Sequence, residues 1–131
     1  LIVAVISRFY ALGVRVMITE LDIDPLPRPE GTLGADVSQT SALRAELDPY
    51  AAGLPAAIQR RMAERWAEVF TVFVRHRPAL ERVTFWGVTD RTSWLNDWPV
   101  GGRTNYPLLW NRDGRPKPAF DAVVEVLTRA R

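Results

Sequence analysis

Val16-Met17-Ile18-Thr19-Glu20-Leu21-Asp22-Ile23 is a hydrophobic run that closes on carboxylates. Val16, Ile18 and Ile23 are β-branched, and the turn-former Gly13 stands just before the run, which is the pattern of a strand. Strict alternation along a strand places Glu20 and Asp22 on the face of Ile18, with Met17, Thr19 and Leu21 on the other. An unpaired carboxylate buried among apolar side chains costs several kcal/mol or is neutralised. Glu20 therefore belongs at a strand's mouth rather than in its buried middle. The residues alone leave open whether it is a structural carboxylate or a reacting one.

The order of elements follows outward from this strand. Residues 1–12 read as a helix stopped by Gly13, and residues 14–23 as the strand. Residues 24–54 form a long loop rich in Pro and Gly, with room for a short helical turn within 38–47. Pro55 opens a helix that runs to His76, where Ile58, Met62, Trp66, Val69, Phe70 and Phe73 recur at helical spacing. Residues 83–88 read as a second strand and 89–115 as a polar, aromatic loop. Pro116 and Pro118 open a last helix with Phe120, Val123, Val124 and Leu127 on one face. Strands alternating with helices argue for an α/β chain with parallel strands. Two parallel strands do not cover both faces of a sheet, so more strands are expected from outside these 131 residues.

The composition is that of an ordinary globular chain, with 47% hydrophobic and 24% charged residues. A net charge of +2 and scattered arginines provide no basic stripe, so a nucleic-acid partner is not expected. With no cysteine and one histidine, His76, the chain offers no disulfide, thiolate metal site or catalytic triad. No metal or cofactor is expected. The apolar opening, residues 1–6, is too short to span a membrane and lacks the basic region and cleavage site of a signal peptide. It reads as a chain that begins inside an element.

Two groups of residues carry the chemistry. The first strand ends in Glu20 and Asp22. The second ends at Trp86, followed by Asp90, Arg91, Thr92, Ser93, Trp94, Asn96, Asp97 and Trp98. In β/α barrels, sites lie at the C-terminal strand ends and in the loops that follow. Carboxylates beside several tryptophans suit a carbohydrate, because indole faces pack on the C–H faces of sugar rings. Glycoside hydrolysis needs two carboxyl groups flanking the bond. Trp66, mid-helix on an apolar face, reads as core, and packing is also the expectation for Trp110. Asp90 and Arg91 read as an ion pair or as loop-ordering groups, and Arg103 and Asn105 as a structural turn.

The segment Gly13-Val14-Arg15-Val16-Met17-Ile18-Thr19-Glu20-Leu21-Asp22-Ile23 resembles the nucleophile signature of glycoside hydrolase family 10, the endo-1,4-β-xylanases. Val83-Thr84-Phe85-Trp86-Gly87-Val88-Thr89-Asp90-Arg91-Thr92-Ser93-Trp94-Leu95 is similar to that family's eighth-strand segment. Pro107-Leu108-Leu109-Trp110 and Pro116-Lys117-Pro118-Ala119-Phe120 resemble its closing segments. The resemblance implies an α/β chain forming the C-terminal portion of a (β/α)8 TIM barrel, about strands 7 and 8 with flanking helices. Residues 1–131 would then be a fragment of a single catalytic domain.

The same resemblance implies that Glu20 is the catalytic nucleophile and that Asp22 supports it by orienting a histidine of strand six. Trp86 and Trp94 become substrate-binding residues, and the partners become xylan and xylo-oligosaccharides. It further implies a secreted or periplasmic protein whose acid/base glutamate lies on strand four, in the missing N-terminal part of the barrel. The isolated chain is then expected to be inactive. The competing expectation is a non-catalytic carbohydrate-binding remnant using Trp86 and Trp94, which has no need of an intact Glu20.

Overall fold

The computed structural model describes residues 2–31, 36 and 38–130. Leu1, the expected first residue of the first helix, and Gly34 of the long loop lie outside them. The described chain runs α1 (Ile2–Ala11), β1 (Val16–Leu21), α2 (Ala56–Arg75), β2 (Leu80–Phe85) and α3 (Pro118–Arg129), with three short 3-10 turns in the loops. β1 and β2 pair side by side and parallel, as the alternation of strands and helices requires. Among the described residues no helix is long and apolar enough to cross a membrane.

α1 ends where its sequence says it must. Gly13 adopts φ 77°, its N–H reaches Tyr10 O at 2.9 Å and the Val14 N–H reaches Phe9 O at 3.1 Å. This pair of bonds satisfies the last carbonyls of the helix and needs a left-handed residue at Gly13. β1 is two residues shorter at each end than expected.

β2 starts and ends three residues earlier than the expected 83–88. The turn after α2 is so tight that the chain enters the strand at Leu80. The exposed polar pair Glu81 and Arg82 concealed that start from a reading by hydrophobicity. At the other end Gly87, at φ 141°, turns the chain out of the sheet. A Cβ there would meet Leu108 Cδ1 at 3.0 Å, so both space and backbone select glycine.

The register corrects the expected facing of Glu20. Ile18 pairs with Val83 and Leu21 with Phe85, so three steps along β1 match two along β2. The extra residue is a bulge, and a one-residue slip exchanges the faces of a strand. Val16, Ile18, Leu21 and Ile23 all pack on the helical core. Glu20 and Asp22 remain on a common face, but it is opposite to Ile18, and Met17 shares it.

The core lies between the sheet and the helices. Met62, Trp66, Phe70 and Phe73 form one buried face of α2. The Trp66 and Phe70 rings stand 5.4 Å and 6.0 Å from that of Phe85. Trp110 packs on Phe120 with ring centroids 5.1 Å apart. On α3 the buried stripe is Ala119, Phe120, Val123 and Val126. Val124 and Leu127, expected on that stripe, are 44% and 45% exposed, and Leu127 lines an open cleft with Phe70, Phe73 and Val83 instead of closing the core. α1 is covered least: of its apolar side chains only Ile6 is buried.

Candidate active site

The face of the sheet away from the helices is open among the described residues. Met17 is half-exposed, and Thr19 and Glu20 are exposed on it. Glu20 immediately precedes Leu21, whose carbonyl accepts the Trp86 N–H at 3.1 Å, so the two strand ends stay together beyond the regular pairing. Trp86 emerges there 47% exposed, a large indole without a core to fill.

Asp22, one residue past β1 on the face of Glu20, does not stand free. Its Oδ2 accepts a hydrogen bond from Trp94 Nε1 at 2.8 Å. The Trp94 indole in turn stacks on Trp98, with centroids 4.9 Å apart and planes 11° from parallel. Burial pushes the Asp22 carboxyl above the ordinary carboxylate range, the Trp94 N–H pulls it back, and the neighbouring charge of Asp24 raises it further. A carboxyl raised by folding contributes stability that is full below its unfolded value and is lost as pH climbs through the folded one. Asp22→Asn, which keeps an acceptor and removes that ionisation, should therefore raise the urea midpoint of the intact protein at pH 7 and leave it nearly unchanged near pH 3. Equal effects at the two pH values would contradict the assignment.

The loop carrying the tryptophans is held by a buried polar network that the sequence reading did not find. Arg103, 2% exposed, donates to Asp24 Oδ2 at 2.8 Å and to Leu95 O at 2.9 Å. Asn105 donates to the other Asp24 oxygen at 2.9 Å. Asn96 accepts the Asn105 N–H at 3.0 Å and donates to the carbonyls of Asp90 and Ser93. The Ser93 hydroxyl accepts the Leu95 N–H and caps the turn on which Trp94 sits. Asp24, just past β1, is thus bonded directly to the loop after β2. Arg103 and Asn105 are structural, in agreement with the expectation for them.

Asp90 and Lys117 form a second buried pair. Lys117 Nζ donates to Asp90 Oδ2 at 2.9 Å and to the carbonyls of Tyr106 and Leu108, while Asp90 Oδ1 accepts the Leu108 N–H. Burial raises the Asp90 carboxyl and lowers the Lys117 ammonium, each against the attraction of the other. Arg91 is not its partner; it bonds Arg112 O and faces Asp113. The one signal in the sequence was that Lys117, set between two prolines, is the sole lysine in a chain otherwise reliant on arginine. Removing one member of such a pair strands the other charge. Lys117→Met should cost the intact protein about 3–5 kcal/mol, read by denaturant unfolding, and Lys117→Met with Asp90→Leu should recover a substantial part of it.

A cavity of about 590 Å³ lies elsewhere, between residues 51–54 and the side chains of Gln59, Tyr106, Arg112 and Lys117. Neither Glu20 nor any tryptophan lines it. The carboxylates and indoles instead meet on the open sheet face, an arrangement suited to an extended ligand lying across strand ends.

The face sets carboxylates beside flat aromatic rings at the C-terminal ends of two parallel strands, on an α/β scaffold. The sequence model of glycosyl hydrolase family 10 matches residues 2–126, and the chain belongs to that family. It is 41% identical over 121 residues to endo-1,4-beta-xylanase A of Xylanibacter ruminicola, covering 92% of this chain and 33% of that protein. It is 37% identical over 126 residues to an endo-1,4-beta-xylanase of Geobacillus stearothermophilus, covering 94% of this chain and 32% of that one. Its fold superposes on a family 10 endoxylanase retrieved from a sugarcane soil metagenome with a TM-score of 0.91 and 42% identity, over 95% of this chain and 36% of that chain. The chain thus spans about a third of the length of these relatives, and the family implies a TIM barrel.

Proposed function

We propose that this chain is the nucleophile-bearing C-terminal portion, about strands 7 and 8 with their helices, of a retaining endo-1,4-β-xylanase. The observation that carries the reading is the common open face of Glu20 and Asp22 beside Trp86 and the Trp94–Trp98 stack. Glu20 attacks the anomeric carbon of a xylosyl unit and forms a covalent glycosyl-enzyme that water then hydrolyses. The acid/base carboxyl that protonates the leaving oxygen comes from polypeptide outside this chain. Asp22 cannot supply it, since it leaves the same strand on the same face as Glu20 and cannot flank the bond from the other side. Trp86 and Trp94 hold the sugar rings through their flat apolar faces.

The experiment is hydrolysis of xylan by the complete enzyme that carries this chain, followed by proton NMR of the first anomer formed. Internal cleavage giving oligosaccharides with the β-anomer first is the expected result. An α-anomer would remove the nucleophile role from Glu20, and no cleavage of xylan would remove the substrate. A second reading, a carbohydrate-binding remnant, draws on the same indoles but leaves the exposed Glu20 without a task.

A further inference from the structure

We infer that Asp22 is a positioning residue for the Trp94 indole, holding it over the Glu20–Asp22 face through the Nε1–H to Oδ2 hydrogen bond. The inference rests on the reading of that face as the sugar site. Trp94 sits on a loop 72 residues away from Asp22 in the chain, yet its ring is fixed at two points. Trp98 covers one face of the indole at 4.9 Å, and Asp22 takes the N–H at the ring's edge.

Stacking alone permits an indole to slide and turn in its own plane. An edge hydrogen bond to a carboxylate removes that freedom, and charge-assisted bonds are shorter and stronger than neutral ones. The remaining face of Trp94 is the one left for a sugar ring. Its orientation is therefore referenced to the strand that carries Glu20, and not only to its own loop. The network beneath the loop, with Arg103 on Asp24 at 2.8 Å, fixes the backbone of the same turn but does not touch the indole edge. Asp22 is the side chain that couples ring and strand.

The test is a double-mutant cycle on the complete enzyme with xylo-oligosaccharides. Trp94→Phe keeps a flat ring and deletes the N–H, and Asp22→Leu deletes the acceptor. Trp94→Phe should lower kcat/KM about tenfold, the scale of one hydrogen bond to a charged group, and Asp22→Leu at least as much. If Asp22 holds the Trp94 N–H, adding Trp94→Phe to Asp22→Leu should cost nothing further. A double variant whose loss is the product of the two single losses would overturn the inference, because Asp22 and the Trp94 N–H would then act independently.

A readout independent of activity is the exchange of the Trp94 indole N–H, followed by nitrogen-15 NMR and assigned with Trp94→Phe. It should be protected in the wild type and in Asp22→Asn, whose amide oxygen still accepts, and exposed in Asp22→Leu. Exchange in the wild type as fast as that of free indole would overturn the inference even if no variant gave usable kinetics. Should Glu20→Gln retain turnover, the proposed chemistry fails while the indole measurement stands, so the two failures are distinguishable.

Discussion

Glu20→Gln in the complete enzyme should abolish hydrolysis of xylan and of aryl xylosides. The amide keeps the shape of the side chain on its exposed strand end but has no charge with which to attack the anomeric carbon. In the proposed role the residue forms the covalent bond of the intermediate, so its removal takes away a step rather than a contact. The expected loss in kcat is several orders of magnitude, with KM changed far less. Trapping with a 2-fluoro-xylobioside and mass spectrometry should place the sugar on Glu20. Label on another side chain, or near-normal turnover by the variant, would withdraw the role.

The 131-residue chain purified by itself should hydrolyse nothing above background. A retaining mechanism needs a second carboxyl group about 5 Å from the nucleophile, across the bond, to protonate the leaving oxygen. Asp22 shares the face and strand of Glu20 and is engaged by Trp94. Asp90 is fully buried under its loop on Lys117. The physical state of the chain points the same way. Among the described residues its sheet has two strands with an unpaired edge on each side, and Ile2, Val3, Val5, Phe9 and Tyr10 of α1 are 40–50% exposed. Such surfaces associate or fluctuate unless they are covered. A broad, concentration-dependent melt is expected. Aryl xylosides with very good leaving groups demand the least protonation and are the most sensitive assay. Their turnover by the chain alone, abolished by Glu20→Gln, would show that this chain is catalytically sufficient.

Much of the architecture was written in local patterns. The Gly13 stop, the strand into Glu20, the apolar stripe of α2 and the prolines opening α2 and α3 each act within a few residues, where propensity and periodicity suffice. The parallel pairing followed from the alternation of elements. The carboxylates and indoles of the candidate site were also legible, because strand ends and the loops after them are where such residue types have no core to fill. What they do as chemistry rests on family resemblance and on the proposals above.

What the tertiary structure decided are the relations between distant segments. The face on which Glu20 stands depends on a bulge, and a bulge is a mismatch between two strands that neither strand records alone. Val124 and Leu127 are as apolar as Val123, and only the position of α2 selects which of them is buried. Asp24, Arg103, Asn105 and the Asp90–Lys117 pair look like surface polar residues in a list of letters. They became interior groups because contacts 27 to 81 residues apart in the chain removed them from water and supplied partners at the same time. Asp22 is the plainest case. Its sequence neighbours place it beside Glu20, and only the folding of the second loop over the first strand brings the Trp94 N–H to its oxygen.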